Sequence, residues 1–405
     1  MSERTRHHLG LAMTLRGEET PWSALSEEEW NELAGTARHE GVAPVLYHVQ
    51  ASAGWPCGMP PRLRDELRVE CLKAGGSNLL VYRELGRILS ALRGEVVLLK
   101  GAALASTIYP TIALRPMTDI DILLRRGCVE SAVERLRSIG YGDVAPEMTL
   151  GLSRETHFQV ALKGGPRGYV ITELHWSLVG SAGDWRSPDL DWFWKETEPW
   201  RMEEERDARG APLSALQLRP HAHLLYLAAH LMLQHGGANG RLLWAYDIHL
   251  LVTQYAKRID WEELRRRARD FHWAPALHAA LVRTHRTFGT VLPDDYLQAI
   301  ESDGDRRSKA LVESKSKPVQ TPATATWNYL RSLDRRSRRR RIRAILWPTR
   351  EYMLWRYRPH PRWLWPCCYP YRWTLFMLEI TRTLARVIGK TIASGSARIP
   401  NGARG

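Results

Sequence analysis

Apolar residues recur along most of the chain at helical spacing. Trp30, Leu33, Ala34 and Ala37 fall on one helix face. Ser26, with Glu29 three residues later, forms the capping pair that starts such a helix. Leu63, Leu67, Leu72, Leu79, Leu80, Leu85 and Leu89 predict one long amphipathic helix over 61–92. Its Gly75-Gly76 pair weakens the middle by about 1 kcal/mol per Gly relative to Ala. After Pro220 the helical period returns in His221, Leu224, Leu225, Leu227, Ala228, Leu231 and Met232. It continues through 241–248 and 260–286, where Arg265, Arg266, Arg267 and Arg269 form a solvated face.

Between these helical blocks the period shortens to two. Residues 96–99 are an apolar run of strand length. Gly101 opens a small-residue segment, 102–109, that predicts a short helix, and Pro110 and Pro116 punctuate the turn after it. Asp119-Ile120-Asp121-Ile122 then alternates carboxylate with aliphatic, which places Asp119 and Asp121 on one face of a strand. A helix over 128–139, stopped by Gly140, is followed by two strands, 157–163 and 169–176. Gly164 to Gly168 joins these two as a hairpin, and because no helix follows that loop it is not a phosphate cradle. Residues 184–212, with Trp185, Trp192, Trp194 and Trp200 among acids, read as loop-rich.

The candidate chemistry sits in the period-two block. Two carboxylates on one strand face stand roughly 7 Å apart along it at ~3.4 Å per residue. They suit divalent cations that bridge phosphate oxygens, although two solvated acids account for a bare DxD equally well. In the second hairpin strand Ile171, Glu173 and His175 share a face. A His beside an acid is as often a hydrogen-bonded strand residue as a catalyst. His223 and His230 lie seven apart on one helix face without the i, i+4 partner of an HExxH metal site. Core or cleft packing, with Asp247 opposite the carboxylates, is the expectation for them.

The 405 residues allow two or three domains, and 44% apolar with 25% charged residues is the composition of a soluble globular chain. No apolar run approaches the ~20 residues of a membrane-spanning helix, and residues 1–17 lack the apolar stretch of a secretory signal. Five cysteines (57, 71, 128, 367, 368) form neither CxxC nor a metal spacing, which fits a reducing cytoplasm. Charge is divided unevenly. Residues 306–405 hold 23 Lys+Arg against 4 Asp+Glu, whereas the first 305 hold 35 against 40. Within that last quarter, 314–326 reads as an exposed linker and 335–343 as an arginine run. Residues 347–371 mix Trp, Tyr, Arg and Pro, 373–388 read as a terminal helix, and the last dozen residues as disordered. Such a tail suits an anionic membrane surface, an RNA strand, or the mouth of a triphosphate site. Trp347, Leu354, Trp355, Trp363, Leu364 and Trp365 favour a packed or membrane-facing role over a nucleic-acid arm.

Strand, Gly turn, helix and a strand carrying DxD is the order of the nucleotidyltransferase superfamily. The wording of residues 97–124 resembles the bacterial "uncharacterised nucleotidyltransferase" family, with its LKG…Y…RPM-[ST]-DIDLL core. Lys100, Gly101, Ala102, Tyr109, Arg115, Pro116, Met117, Thr118, Asp119 and Asp121 fall in register. Further stretches, ELHW around Glu173 and HLLYLAAHLMLQHG…RLLWAYDI, are similar to the family as well. The resemblance implies an α+β fold, with a small mixed or antiparallel sheet between N-terminal helices and a larger C-terminal helical region. With periodicity and charge added, the chain reads as N-terminal helices (1–92), a nucleotidyltransferase core (93–215), a helical domain (216–300) and a basic region (301–405). The resemblance implies Mg²⁺ or Mn²⁺ held by Asp119, Asp121 and Glu173, the last also a base, and an NTP contacted by Lys100, Gly101, Ala102, Arg115 and Thr118. The acceptor, a sugar, peptide or protein hydroxyl, stays open. Ala102 stands where the superfamily has Ser, so a hydroxyl contact to phosphate is missing. A non-catalytic, antitoxin-like binding protein and a DxD glycosyltransferase are the alternatives.

Overall fold

A computed structural model of the chain describes residues 3–18, 25–55, 58–92, 94–146, 148, 158–179, 190–206, 210–237, 240–316, 330 and 335–396. It divides into two compact units: Met1–Val144, Phe158–Gly180 and Arg186–Lys317 form the first, and Ala145–His157, Ser181–Trp185 and Pro318–Gly405 the second.

The first unit opens with four helices, α1 (Glu3–Leu15), α2 (Glu27–His39), α3 (Ala43–Ala53) and α4 (Pro61–Leu92). The capping box of α2 forms as its sequence predicts, with Ser26 and Glu29 exchanging side-chain and backbone bonds. Helix α4 has the predicted length but a different buried face. Leu63, Leu67, Ala74, Asn78, Val81, Tyr82, Leu85, Ile88 and Leu92 turn inward, while Leu72, Leu79 and Leu80 are exposed. Counting leucines hid the stripe, because two of its members, Asn78 and Glu84, are polar and bury only by finding partners.

Next come β1 (Val97–Leu98), α5 (Lys100–Thr107), β2 (Asp119–Leu123), α6 (Val129–Ser138), β3 (Gly142–Asp143), β4 (Gln159–Gly164) and β5 (Val170–His175). After these, α7 (Leu190–Lys195), β6 (Thr197–Arg206) and β7 (Pro212–Leu218) replace most of the loop expected over 184–212; Trp185 lies outside the described residues. Trp192, Trp194 and Trp200 are buried. Trp200 stacks on Tyr82 and donates to Ser106 Oγ at 3.1 Å, joining β6 to α4 and α5.

The fold is α+β, built on one mixed sheet of seven strands in the order β3-β4-β5-β2-β1-β7-β6. Strand β2 runs antiparallel to β1 and parallel to β5, and β4–β5 is the predicted hairpin. Ile120 and Ile122 of β2 face a core shared with α4, α5 and α6. The alternation of the strand therefore turns Asp119 and Asp121 to the other face.

The first unit closes with α8 (Pro220–Ala229), a π-helical turn (His230–Gln234), α9 (Leu242–Tyr255), α10 (Trp261–Asp270), α11 (Ala274–Phe288), α12 (Tyr296–Ser302) and α13 (Arg306–Ser316). Glu40 ties the N-terminal helices to α9. Its carboxylate accepts from Leu242 N at 2.8 Å and its carbonyl from Leu243 N at 3.2 Å. Residues 314–316 of the expected linker are helical, and the rest of it lies outside the described residues.

The second unit contains α14 (Arg335–Leu346), α15 (Arg350–Tyr357) and α16 (Cys368–Ser396), with a 3₁₀ segment at Arg362–Cys367. Helix α16 is longer than the one expected over 373–388, and only residues 397–405 of the expected disordered tail remain outside the described residues. Arg372 and Trp373 of α16 donate to the carbonyls of Ile345 and Leu346, which satisfies acceptors at the end of α14. Met353 is fully buried beside Tyr352, Cys368, Trp365 and Tyr369. Trp347, Trp355 and Trp363, expected as packing mass, are instead 57%, 41% and 72% exposed.

Candidate functional site

Strands β2 and β5 lie side by side in parallel, with Asp121 paired in register with Glu173. Opposed residues of parallel strands project to the same face, and His175 follows Glu173 by two. Ligating atoms of Asp121, Glu173 and His175 accordingly lie within 4.8 Å of one another. His175 Nε2 donates to Asp121 Oδ1 at 2.9 Å and stands 3.5 Å from Glu173 Oε2. Asp121 and His175 are buried, whereas Asp119 and Glu173 are half-buried at the rim. His175 Nδ1 is buried without a hydrogen-bond partner.

Lys100 enters this face as the first residue of α5, directly after β1. Its φ of 43° is a left-handed conformation that a side chain rarely adopts. The backbone turn at this residue aims the ammonium at Asp121, with Nζ 2.7 Å from Oδ1. On its other side Nζ lies 3.4 Å from His230 Nε2, and His230 meets exposed His235 Nε2 to Nε2 at 3.1 Å. The π-helical turn makes this pair possible, since its i→i+5 backbone bond, His235 N to His230 O at 3.3 Å, brings the two residues together. Trp244 packs against both rings.

The turn is braced from beneath. Tyr82 Oη donates to Ala102 O at 2.9 Å, and Asn78 Nδ2 donates to the carbonyls of Ile112 and Arg115 at 2.6 and 2.8 Å. Arg115 forms a buried two-point pair with Asp247, Nε to Oδ1 at 2.9 Å and Nη2 to Oδ2 at 2.7 Å, and Tyr109 Oη adds a bond of 2.7 Å to Oδ1. The third guanidinium nitrogen passes over Gly101. A Cβ there would stand 2.5 Å from Arg115 Nη1 and 3.1 Å from Met117 Cγ. Gly101 is thus glycine because the arginine needs the space.

The electrostatics follow from crowding three acids around one ammonium. Burial, and then the charge of Asp121, push the Asp119 carboxyl up to about 6. Burial opposes ionisation of Asp121 as well, but Lys100 and the His175 hydrogen bond overcome it and hold that carboxyl well below its usual range. Burial likewise works against the Lys100 ammonium, and Asp121 more than restores it. Three carboxyl groups crowd Lys100 and His175; burial works against the imidazolium, but the bonds to Asp121 and Glu173 raise its pKa above the usual value. The clustered carboxylate oxygens form a hard donor set that fits a small divalent cation.

Asp121 and Glu173 thus come together with His175, whose role the sequence left open, and with Lys100, whose direction it did not show. Asp119 is two residues upstream on the same face, outside the group of three, with Thr118 Oγ1 3.4 Å from its Oδ1. Ala102 is buried behind the turn. Arg115 spends Nε and Nη2 on Asp247, so Asp247 braces the turn rather than lining a cleft. The RPM wording signalled Arg115, but its partner lies 132 residues away, and only a charge-balance argument for buried groups could have sought it. His223 is buried, and its Nε2 is without a partner.

A family model described as an uncharacterised nucleotidyltransferase matches residues 26–289, well over half of the chain. No curated protein matches the chain.

Proposed function

The chain belongs to the uncharacterised nucleotidyltransferase family, and from that premise we propose that it moves a nucleoside monophosphate from an NTP to an acceptor hydroxyl. The observation that carries this reading is the convergence of Asp121, Glu173 and His175 from adjacent strands beside Lys100. Asp119, Asp121 and Glu173 would hold Mg²⁺ or Mn²⁺, which when bound clamps triphosphate oxygens and makes an acceptor hydroxyl more acidic. Buried His175 orients the Asp121 carboxylate through its 2.9 Å hydrogen bond. Half-buried Glu173 would meet an acceptor and take its proton. Lys100 offsets the charge that grows on the departing pyrophosphate. With Nε and Nη2 on Asp247 and Nη1 over Gly101, Arg115 acts by positioning the Lys100–Gly101 segment.

The acceptor class we propose remains a sugar, peptide or protein hydroxyl. Among the described residues no helix is long and apolar enough to cross a membrane. The free thiols of Cys71, Cys128, Cys367 and Cys368 support a cytoplasmic location. A non-catalytic binding role draws on one specific observation, that the Lys100 ammonium already sits on Asp121. Incubation with α-labelled NTP, Mg²⁺ and a cell extract separates the two. Labelled acceptor and released pyrophosphate, both lost in Glu173→Gln, are the result expected of the enzyme. Labelling unchanged in that variant would remove Glu173 from the mechanism.

A further inference from the structure

The second unit carries its own surface chemistry, separate from nucleotide transfer. Residues 335–396 hold nearly the whole net positive charge of the chain, with Glu351 and Glu379 as their only acids. On α14 exposed Arg335, Arg339 and Arg343 repeat every four residues, and exposed Ile342 joins the same face. Arg350, Arg358, Arg362, His360, Glu351 and Trp355 line an open cleft of about 600 Å³. On α16 Tyr371, Leu375 and Leu378 recur at i, i+4 and i+7, and all three are exposed, as is Met377 between them. Trp347 and Trp363 are exposed in the same unit.

Each part narrows the partner. Arginines in this number select a polyanion. Leu375, Leu378 and Ile342 have nothing to offer phosphate, and a side of α16 that exposes Tyr371, Leu375 and Leu378 needs an apolar phase to enter. A second copy of this chain would bring like charge to like charge. RNA would use the arginines and stack on the tryptophans but leave the aliphatic stripe in water. An anionic bilayer answers both features, with phosphate headgroups above and acyl chains below. No described helix is apolar enough to span, so contact would be at one surface.

We propose that the second unit is a peripheral membrane-binding module, in which the arginines of α14 and of the cleft take anionic phospholipid headgroups while the exposed apolar side chains of α16 enter the acyl region. Exposed Trp347, Trp355 and Trp363 add side chains of the type that favours the boundary between headgroup and chain.

The test sediments the full-length chain with vesicles of phosphatidylcholine alone and of phosphatidylcholine mixed with phosphatidylglycerol, at low and high salt. Binding is expected to the mixed vesicles only and to weaken as salt rises. The Leu375→Asp/Leu378→Asp and Arg335→Glu/Arg339→Glu/Arg343→Glu variants, all at exposed positions, should each lose at least about tenfold in vesicle affinity, with an unchanged circular dichroism spectrum. Should the leucine variant misfold, the arginine variant carries the test. Equal sedimentation with both kinds of vesicle overturns the proposal. So does full binding by either folded variant. Tighter binding to single-stranded RNA that survives Leu375→Asp/Leu378→Asp would make this a nucleic-acid face instead.

Discussion

Lys100, where β1 passes into α5, and Arg115, after α5, are each paired with a buried aspartate, and the two pairs differ in their surroundings. Arg115 and Asp247 meet at two points, Tyr109 adds a third bond, and both side chains are nearly inaccessible to solvent. Lys100 touches Asp121 at one oxygen, shares that oxygen with His175, and opens toward half-buried Glu173 and Asp119. The first pair has its main polar groups matched and holds the turn still. The second has three crowded acids, a buried imidazole nitrogen without a partner and a cation held in a strained backbone. Saturation marks scaffolding, and an unbalanced cluster marks the place where a ligand completes the set.

The largest expected effect breaks the closed pair. Asp247→Ala leaves the Arg115 guanidinium buried and unpaired, and should cost about 3–5 kcal/mol of stability in urea unfolding. A loss under about 1 kcal/mol would show that solvent reaches Arg115 after all. Gly101→Ala tests the contact between the two pairs. Because Asp247 clamps the guanidinium, the added methyl must displace it, and a loss of about 1–3 kcal/mol is expected.

A smaller effect reads the field of the closed pair through His223. Burial, and then the charge of Arg115, lower this imidazole to about 3, against ~6.5 unfolded. Between those values the unfolded chain binds the extra proton, so stability falls as pH drops from about 6.5 toward 3. From pH 7 to 5 the wild-type chain should lose about 2 kcal/mol more than His223→Leu. Parallel pH profiles for the two would mean that His223 is protonated, or exposed, in the folded protein. At the open pair, removing one of three crowded acids relieves repulsion. Glu173→Gln should therefore keep stability within about 1 kcal/mol of wild type while acceptor labelling disappears. A collapse of stability on that change would class Glu173 with the scaffold.

How much of this was legible in the sequence depends on the range of the interaction. Alternation in Asp119–Leu123 and in Val170–His175 is local and showed which acids share a face. That the two strands are neighbours came from the resemblance, because register between distant strands leaves no mark in either. The same limit hid β6. Its buried Trp200 and Met202 do alternate, but the flanking acids and arginines of an edge strand look like loop chemistry. Lys100 was ambiguous because a left-handed turn breaks the alternation that would have aimed it. The π-helical turn that brings His230 to Lys100 has no sequence signature, since its backbone bonds are chosen by packing. The Leu-based reading of α4 failed where Asn78 and Glu84, both polar, turned out to be interior.

The contrast between the pairs predicts that nucleotide and metal meet at Asp121, and titration calorimetry addresses that directly. Each NTP would be titrated into wild-type protein with and without Mg²⁺ or Mn²⁺, then into Asp121→Asn under the same conditions. The predicted result is binding that requires the metal and falls at least about tenfold in the variant, a loss of ~1.4 kcal/mol or more, with the fold retained. Binding that ignores the metal, or equal affinity in folded Asp121→Asn, would contradict it.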